Sequence, residues 1–261
     1  MKVRHMMWNR RELKERAKNV LRGNYWKAFL ISIVIAVAGG SSSGGGGGGG
    51  GGRNQSFNNS GSFGDFGPEV IAILLVILGV IAVFILIGIA LRIFLGYPLE
   101  VGGRKYFVLS AEYYDNRGCF KFAFDGKNYT GIIKSMLLKG VQNFLWFLLF
   151  IIPGIIKAYS YSMVPYILAD NPNIGAKRAI ELSNQMTNGH KFDMFVLDLS
   201  FLGWYLLGVL ALFVGTLFVM PYENATKAEL YMVLRHNTLE SGMCSYDELR
   251  LYAPQQDGMV F

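Results

Sequence analysis

"VIAILLVILGVIAVFILIGIALRIFLG", from Val70 to Gly96, carries a single charge, Arg92, in 27 residues. Crossing the hydrocarbon core of a bilayer takes about 20 such residues as a helix. A helix of this length on a soluble protein keeps a polar face, and this one has none. The stretch therefore reads as a membrane span. Composition agrees: the 261-residue chain is 52% hydrophobic and 16% charged, whereas soluble domains are about 25% charged.

Three further apolar blocks, Trp26–Gly40, Ser135–Leu168 and Phe192–Met220, flank this one. The block from Ser135 would extend about 50 Å as one helix, against a hydrocarbon core of about 30 Å. It contains "FIIPGIIKAYSYSMVPY", Phe150 to Tyr166. Proline interrupts helices, and Pro-Gly is turn chemistry. The expectation is a helix break at Pro153 and Gly154, forming an outer turn between two short spans, Ser135–Ile152 and Ile155–Leu168. Lys157 then lies just below that turn and snorkels to the headgroups. The last block is expected to turn near Val214-Gly215 and return through "TLFVMPYENATKAELYMVL". That return carries Glu223, Lys227 and Glu229, so it spans only in part.

Charge placement orients the chain. Residues 1–27 hold nine Lys/Arg and two acids, which places this end in the cytoplasm by the positive-inside rule. The Tyr97–Lys134 connection has six Lys/Arg and belongs on the same side. The Arg53–Glu69 connection suits the outside. The fold class expected is an all-α integral membrane protein of the cell membrane, with about six spans, some short or broken, and both termini cytoplasmic. Its parts are a basic amphipathic interfacial helix (1–25), a helical membrane domain (26–234) with a flexible Gly-rich external loop (40–68), and a cytoplasmic tail (235–261). In the first part Leu13, Ala17, Val20 and Leu21 share one helical face. That face reads as lying on an anionic inner leaflet, so the bilayer is the expected partner. Nucleic acid is not, because the positive charge abuts a span and no nucleic-acid fold signature is present. Protein partners are not legible.

Asp198, in "FVLDLSF", falls about 9 Å inside the last block. A carboxylate at that depth requires a partner or a proton. Counting helical rise brings Arg92, Lys139, Gln142, Asn143 and Ser162 to comparable depth. The sequence thus predicts a cytoplasm-facing polar pocket in which Asp198 pairs with Arg92 or Lys139.

Recognisable catalytic chemistry is missing. His5, His190 and His236 form no metal-ligand spacing, and no nucleophile motif is present. Cys119 and Cys244 stand alone on the predicted cytoplasmic side, where a disulfide does not form. Glu112 and Asp115 read as solvated loop carboxylates. "SSSGGGGGGGGG", Ser41 to Gly52, has no preceding strand and no closing Gly-Lys-Ser/Thr, so it reads as a spacer, not a phosphate loop. No metal, cofactor or enzymatic activity is expected.

"WNRRELKERAKNVLRGNYWKAF", "LWFLLFIIPGIIKAYSYSMVPYILADNPNI", "AIELSNQMTNGHKFDMFVLDLSFLGWYLLG" and "PYENATKAELYMVLR" resemble the bacterial multi-pass membrane family known as domain of unknown function 975. The motifs carrying the likeness include Trp146, Pro153-Gly154, Ser183, Met186, Gly189, Trp204, Pro221-Tyr222 and Tyr231. More distantly, the Pro-Gly stretch resembles the membrane portion of some glycerophosphodiester phosphodiesterases, without their catalytic domain. The polyglycine loop and Asp198 depart from the family pattern. The resemblance implies a helical bacterial membrane protein and supplies no catalytic residue. Two readings follow: a non-enzymatic scaffold or envelope-maintenance factor, or a small-solute or lipid transporter-like protein with a polar pocket.

Loop-closure entropy changes by only about 0.6 kcal/mol per doubling of length. Deleting Gly44–Gly52 is therefore expected to leave membrane insertion and the melting temperature of the purified protein nearly unchanged. A large loss in either would show that the loop packs on something.

Overall fold

A computed structural model describes residues 8–39, 68–210 and 214–251. The Gly-rich segment, and with it the expected external loop, lies outside these residues. The described chain is all helical: α1 (Arg10–Val37), α2 (Pro68–Leu91), a π-helical segment (Arg92–Gly96), α3 (Tyr97–Ala111), α4 (Cys119–Phe124), α5 (Gly126–Leu149), α6 (Ile151–Ser160), α7 (Val164–Asp170), α8 (Ala176–Met186), α9 (Lys191–Leu210) and α10 (Val214–Glu240).

Four helices are long and apolar enough to cross a membrane: α1, the run Ile71–Ala111, α5 and α9. The chain therefore has the make-up of a membrane protein. The expected six is not reached among the described residues: neither the return of the Pro-Gly block nor α10, which carries Glu223, Lys227 and Glu229, qualifies as a span. The Pro-Gly return is not one helix. α6 has ten residues, about 15 Å of rise, or half a hydrocarbon core. A turn at 161–163 follows, and then α7, most of it buried within the protein.

The break itself falls three residues before the proline. Phe150 is extended (φ −155°, ψ 139°) and caps α6. Pro153 sits in the first turn of α6, where a missing N–H costs no intrahelical bond. Gly154 then brings α6 against α5. A Cβ there would meet the Phe147 ring at 2.8 Å and its Cα at 2.9 Å. Lys157 lies over the Trp146 ring, 5.1 Å from its centroid, so its ammonium is held on an aromatic face across this hairpin.

The amphipathic helix and the first span are one helix, α1, kinked at Asn24 (φ −134°, ψ 22°). The apolar face formed by Leu13, Ala17 and Leu21 is buried in the protein core. It does not lie on a leaflet. Lys14 and Lys18 of the same helix cover the rings of Phe201 and Tyr222. The expected tail is also part of the fold. Arg178 on α8 grips Glu248 at 2.5 Å, Asn171 donates to the Glu248 carbonyl, and Leu249 is fully buried.

α2 contrasts with everything else, since none of its apolar window is buried. Exposed apolar side chains also cover α5 and α6 from Phe144 to Ile156, α9 from Leu199 to Leu210, and α1 at Trp26, Leu30 and Val37. The body beneath them is unusually polar inside. Glu100, Arg104, Glu223, Asn224, Lys227 and Arg235 are all buried.

Overpacking a close helix contact costs about 1–3 kcal/mol. Gly154→Ala is expected to lower the melting temperature by several degrees. Gly88→Ala on α2, with nothing within 4 Å, is expected to leave it unchanged or raise it slightly. Equal behaviour of the two variants in thermal melts would contradict the hairpin packing.

Candidate functional site: a polar cavity between helices

The motif "ENATKAELYMVLR" places Glu223, Lys227, Tyr231 and Arg235 four residues apart in α10. Residues so spaced share one helical face. α3 answers with Glu100 and Arg104, also four apart. Folding α3, α7, α9 and α10 together turns these faces inward and makes two ionic centres.

The first centre surrounds Lys227. Its Nζ lies 3.0 Å from Asp198 Oδ1 and 3.1 Å from Glu223 Oε1. Tyr159 donates to the other Asp198 oxygen at 3.0 Å, and Tyr205 donates to Glu223. The second surrounds Arg235, which pairs with Asp170 at 3.0 Å and with Glu112. Tyr231 donates to Asp170 at 2.6 Å. Burial pushes the Asp170 carboxyl above the usual carboxylate range, while Arg235 and Tyr231 pull it back. Glu112 is thus an internal ion-pair partner and not the solvated carboxylate expected from the loop. Asp115 is exposed. Arg104 links the centres. Its Nη1 donates to Tyr166 (3.1 Å) and to Asn224 (2.7 Å), and Tyr166 stacks on Tyr231.

Next to the first centre is a cavity of about 200 Å³. Five of the six residues grouped by helical rise line it: Arg92, Lys139, Asn143, Ser162 and Asp198. Gln142 does not. The partner of Asp198 is Lys227, not Arg92 or Lys139. Arg92 reaches Glu100 instead, at 3.1 Å, and Lys139 makes no hydrogen bond or ion pair among the described residues. Depth counting ranks residues by height along a helix and is blind to azimuth, so it could not give the pairing.

Arg104, Lys227, Glu100 and Tyr159 also line the cavity and were not foreseen. The four-residue spacing of Glu100 with Arg104, and of Glu223 with Lys227, was the signal available. At the rim, Gly39 ends α1 with φ +78°, and the space its Cβ would fill holds the Arg92 guanidinium, 2.8 Å away. Any side chain at position 39 would displace that arginine and would also strain the backbone.

Among the described residues no group of three or more His, Cys, Asp or Glu is placed to hold a metal ion. Both thiols are free and buried. Burial pushes Cys119 up to about 11 and Cys244 up to about 12, so neither is an activated nucleophile.

The fold and cavity define a helical membrane protein with an ion-paired polar interior. Residues 70–238 match the family model "Protein of unknown function (DUF975)", and the chain belongs to that family. No curated protein and no solved structure matches it.

Removing the central cation of a buried triad leaves uncompensated carboxylates and costs about 3–5 kcal/mol. Lys227→Met is expected to lose most folded protein, measured by monodispersity in detergent and by thermal melting. Asp198→Asn is expected to be milder, because Lys227 keeps Glu223. A double exchange, Asp198→Lys with Lys227→Asp, should recover more folded protein than Asp198→Lys alone. Rescue by Arg92→Asp or Lys139→Asp instead would contradict the pairing.

Proposed function

We propose that this is a non-enzymatic protein of the bacterial cell membrane that admits a small polar ligand to the cavity beside Asp198 and Lys227, as a transporter-like binding protein does. Of the two sequence readings, the cavity supports this one over the scaffold. The observation that carries it is the convergence of Arg92, Lys139, Asn143, Ser162 and Asp198, from four separate helical segments and turns, on one space. Polar groups inside a membrane domain are costly and mark binding paths.

In this reading α2, α5 and α9 enter the bilayer, and α6 and the first turns of α10 return beside α5 and α9. The end of α1 meets Arg92 and Gly96 at the foot of α2 and its second half runs beside α3, so α1 does not cross the layer that α2 crosses.

Methanethiosulfonates of opposite charge test the reading on Ser162→Cys in nanodiscs. Cys119 and Cys244 are buried and do not compete. The sulfonate reagent is expected to modify the new cysteine, and faster than the trimethylammonium reagent, because the cavity lining carries more cations than carboxylates. Absence of labelling by either reagent, or no preference between them, would overturn it.

A further inference from the structure

We propose that the ligand of this cavity is a phosphate group; the inference rests on the cavity being a binding site. Its lining holds four cations, Arg92, Arg104, Lys139 and Lys227, against two carboxylates, Glu100 and Asp198. Glu223, behind Lys227, offsets one more. Positive charge is left over, and it is located: among the described residues Arg92 is paired to Glu100 and Lys227 to two carboxylates, whereas Arg104 has only neutral partners and Lys139 has none.

Two donors of the lining arginines are unused. Arg104 is 2% exposed, and its Nε has no hydrogen-bond partner. Arg92 Nη1 is likewise buried without a partner. An unsatisfied buried donor costs about 1–3 kcal/mol, more when charged. Two such atoms and a free ammonium around one cavity therefore mark a place for an acceptor with several oxygens. A carboxylate offers two oxygens in one plane. Phosphate offers its oxygens tetrahedrally, which suits donors arriving from three helical segments, and arginine forks match it. Asn143 Oδ1, also buried and unpartnered, calls for a donor beside the anion, such as a hydroxyl. At about 30 Å³ per water, 200 Å³ accommodates roughly six waters, enough for a phosphate and a small substituent.

The depth is right for two sources of phosphate. The 24 residues of α2 rise about 36 Å, just over one hydrocarbon core. Arg92, which follows them, leaves the apolar layer at the level of lipid headgroups. Around the rim, Phe94, Leu95, Val141 and Phe144 are exposed, as acyl chains below a bound headgroup would require. A free phosphate from solution and a phospholipid headgroup share the recognised chemistry.

The experiment measures thermal stability of the full chain in uncharged detergent. One arm titrates sodium phosphate against sodium chloride at matched ionic strength. The other adds phosphatidylglycerol against an uncharged, phosphate-free glycolipid. A saturable rise with inorganic phosphate assigns the free anion; a rise with phosphatidylglycerol alone assigns the headgroup. Lys139→Met keeps the side-chain length and breaks no internal pair. It should fold as well as the native protein or better, and its apparent affinity for the phosphate probe should fall about tenfold or more. Lys139→Arg should keep most of it. No saturable response in either arm, or an unchanged affinity in Lys139→Met, would overturn the proposal. If Ser162→Cys still discriminates between the charged reagents in that event, the cavity remains a binding site and only its phosphate falls.

Discussion

The structure depends on how α10 neutralises its own inward face. Glu223, Lys227, Tyr231 and Arg235 would each be costly in an apolar layer if left single. Each is answered from another helix: Asp198 from α9, Tyr205 from α9, Asp170 from α7, and Glu112 at the end of α3. The helices are thus fixed in rotation about their axes as well as in position. An apolar interface tolerates sliding by a residue or two, whereas a carboxylate that moves one helical step leaves its cation unpaired.

The same constraint explains where surplus polarity collects. α10 offers the cations of α3 and α5 no carboxylate, because its inward-facing charges are spent on α7, α9 and the end of α3. Arg104 is left with a tyrosine and an asparagine, and Lys139 with the cavity alone. A residual cavity of about 200 Å³ lined by such groups is costly to stability. That cost has a ready explanation if a ligand completes the arrangement. Glycines do the complementary work of allowing close approach, at Gly154 for the hairpin and at Gly39 for the arginine at the rim.

Two kinds of apolar surface are also separated. α2 is apolar all round and buries nothing of its span window, so its surface is suited to lipid. α1 is amphipathic in its first half, and that half buries its apolar stripe against the protein. A hydrophobic stripe alone does not say which of these surfaces it meets. The choice rests on whether another helix offers matching shape nearby, and here the α9–α10 pair does.

Composition and hydropathy by themselves pointed to the class: 52% hydrophobic residues with one uninterrupted apolar run suit helices in a membrane, since a helix satisfies its backbone hydrogen bonds within the segment. Helical rise along that sequence ranks Arg92, Lys139, Gln142, Asn143, Ser162 and Asp198 at comparable depth, because height depends only on residue count. The interruption at Pro153-Gly154 was legible too, within three residues. Only the tertiary structure decided that the return is a short α6 followed by a buried α7, that Asp198 belongs to Lys227, that Glu112 is internal, and that Gln142 faces away from the cavity. Those outcomes turn on azimuth and on contacts between helices far apart in the chain, and a single sequence records neither.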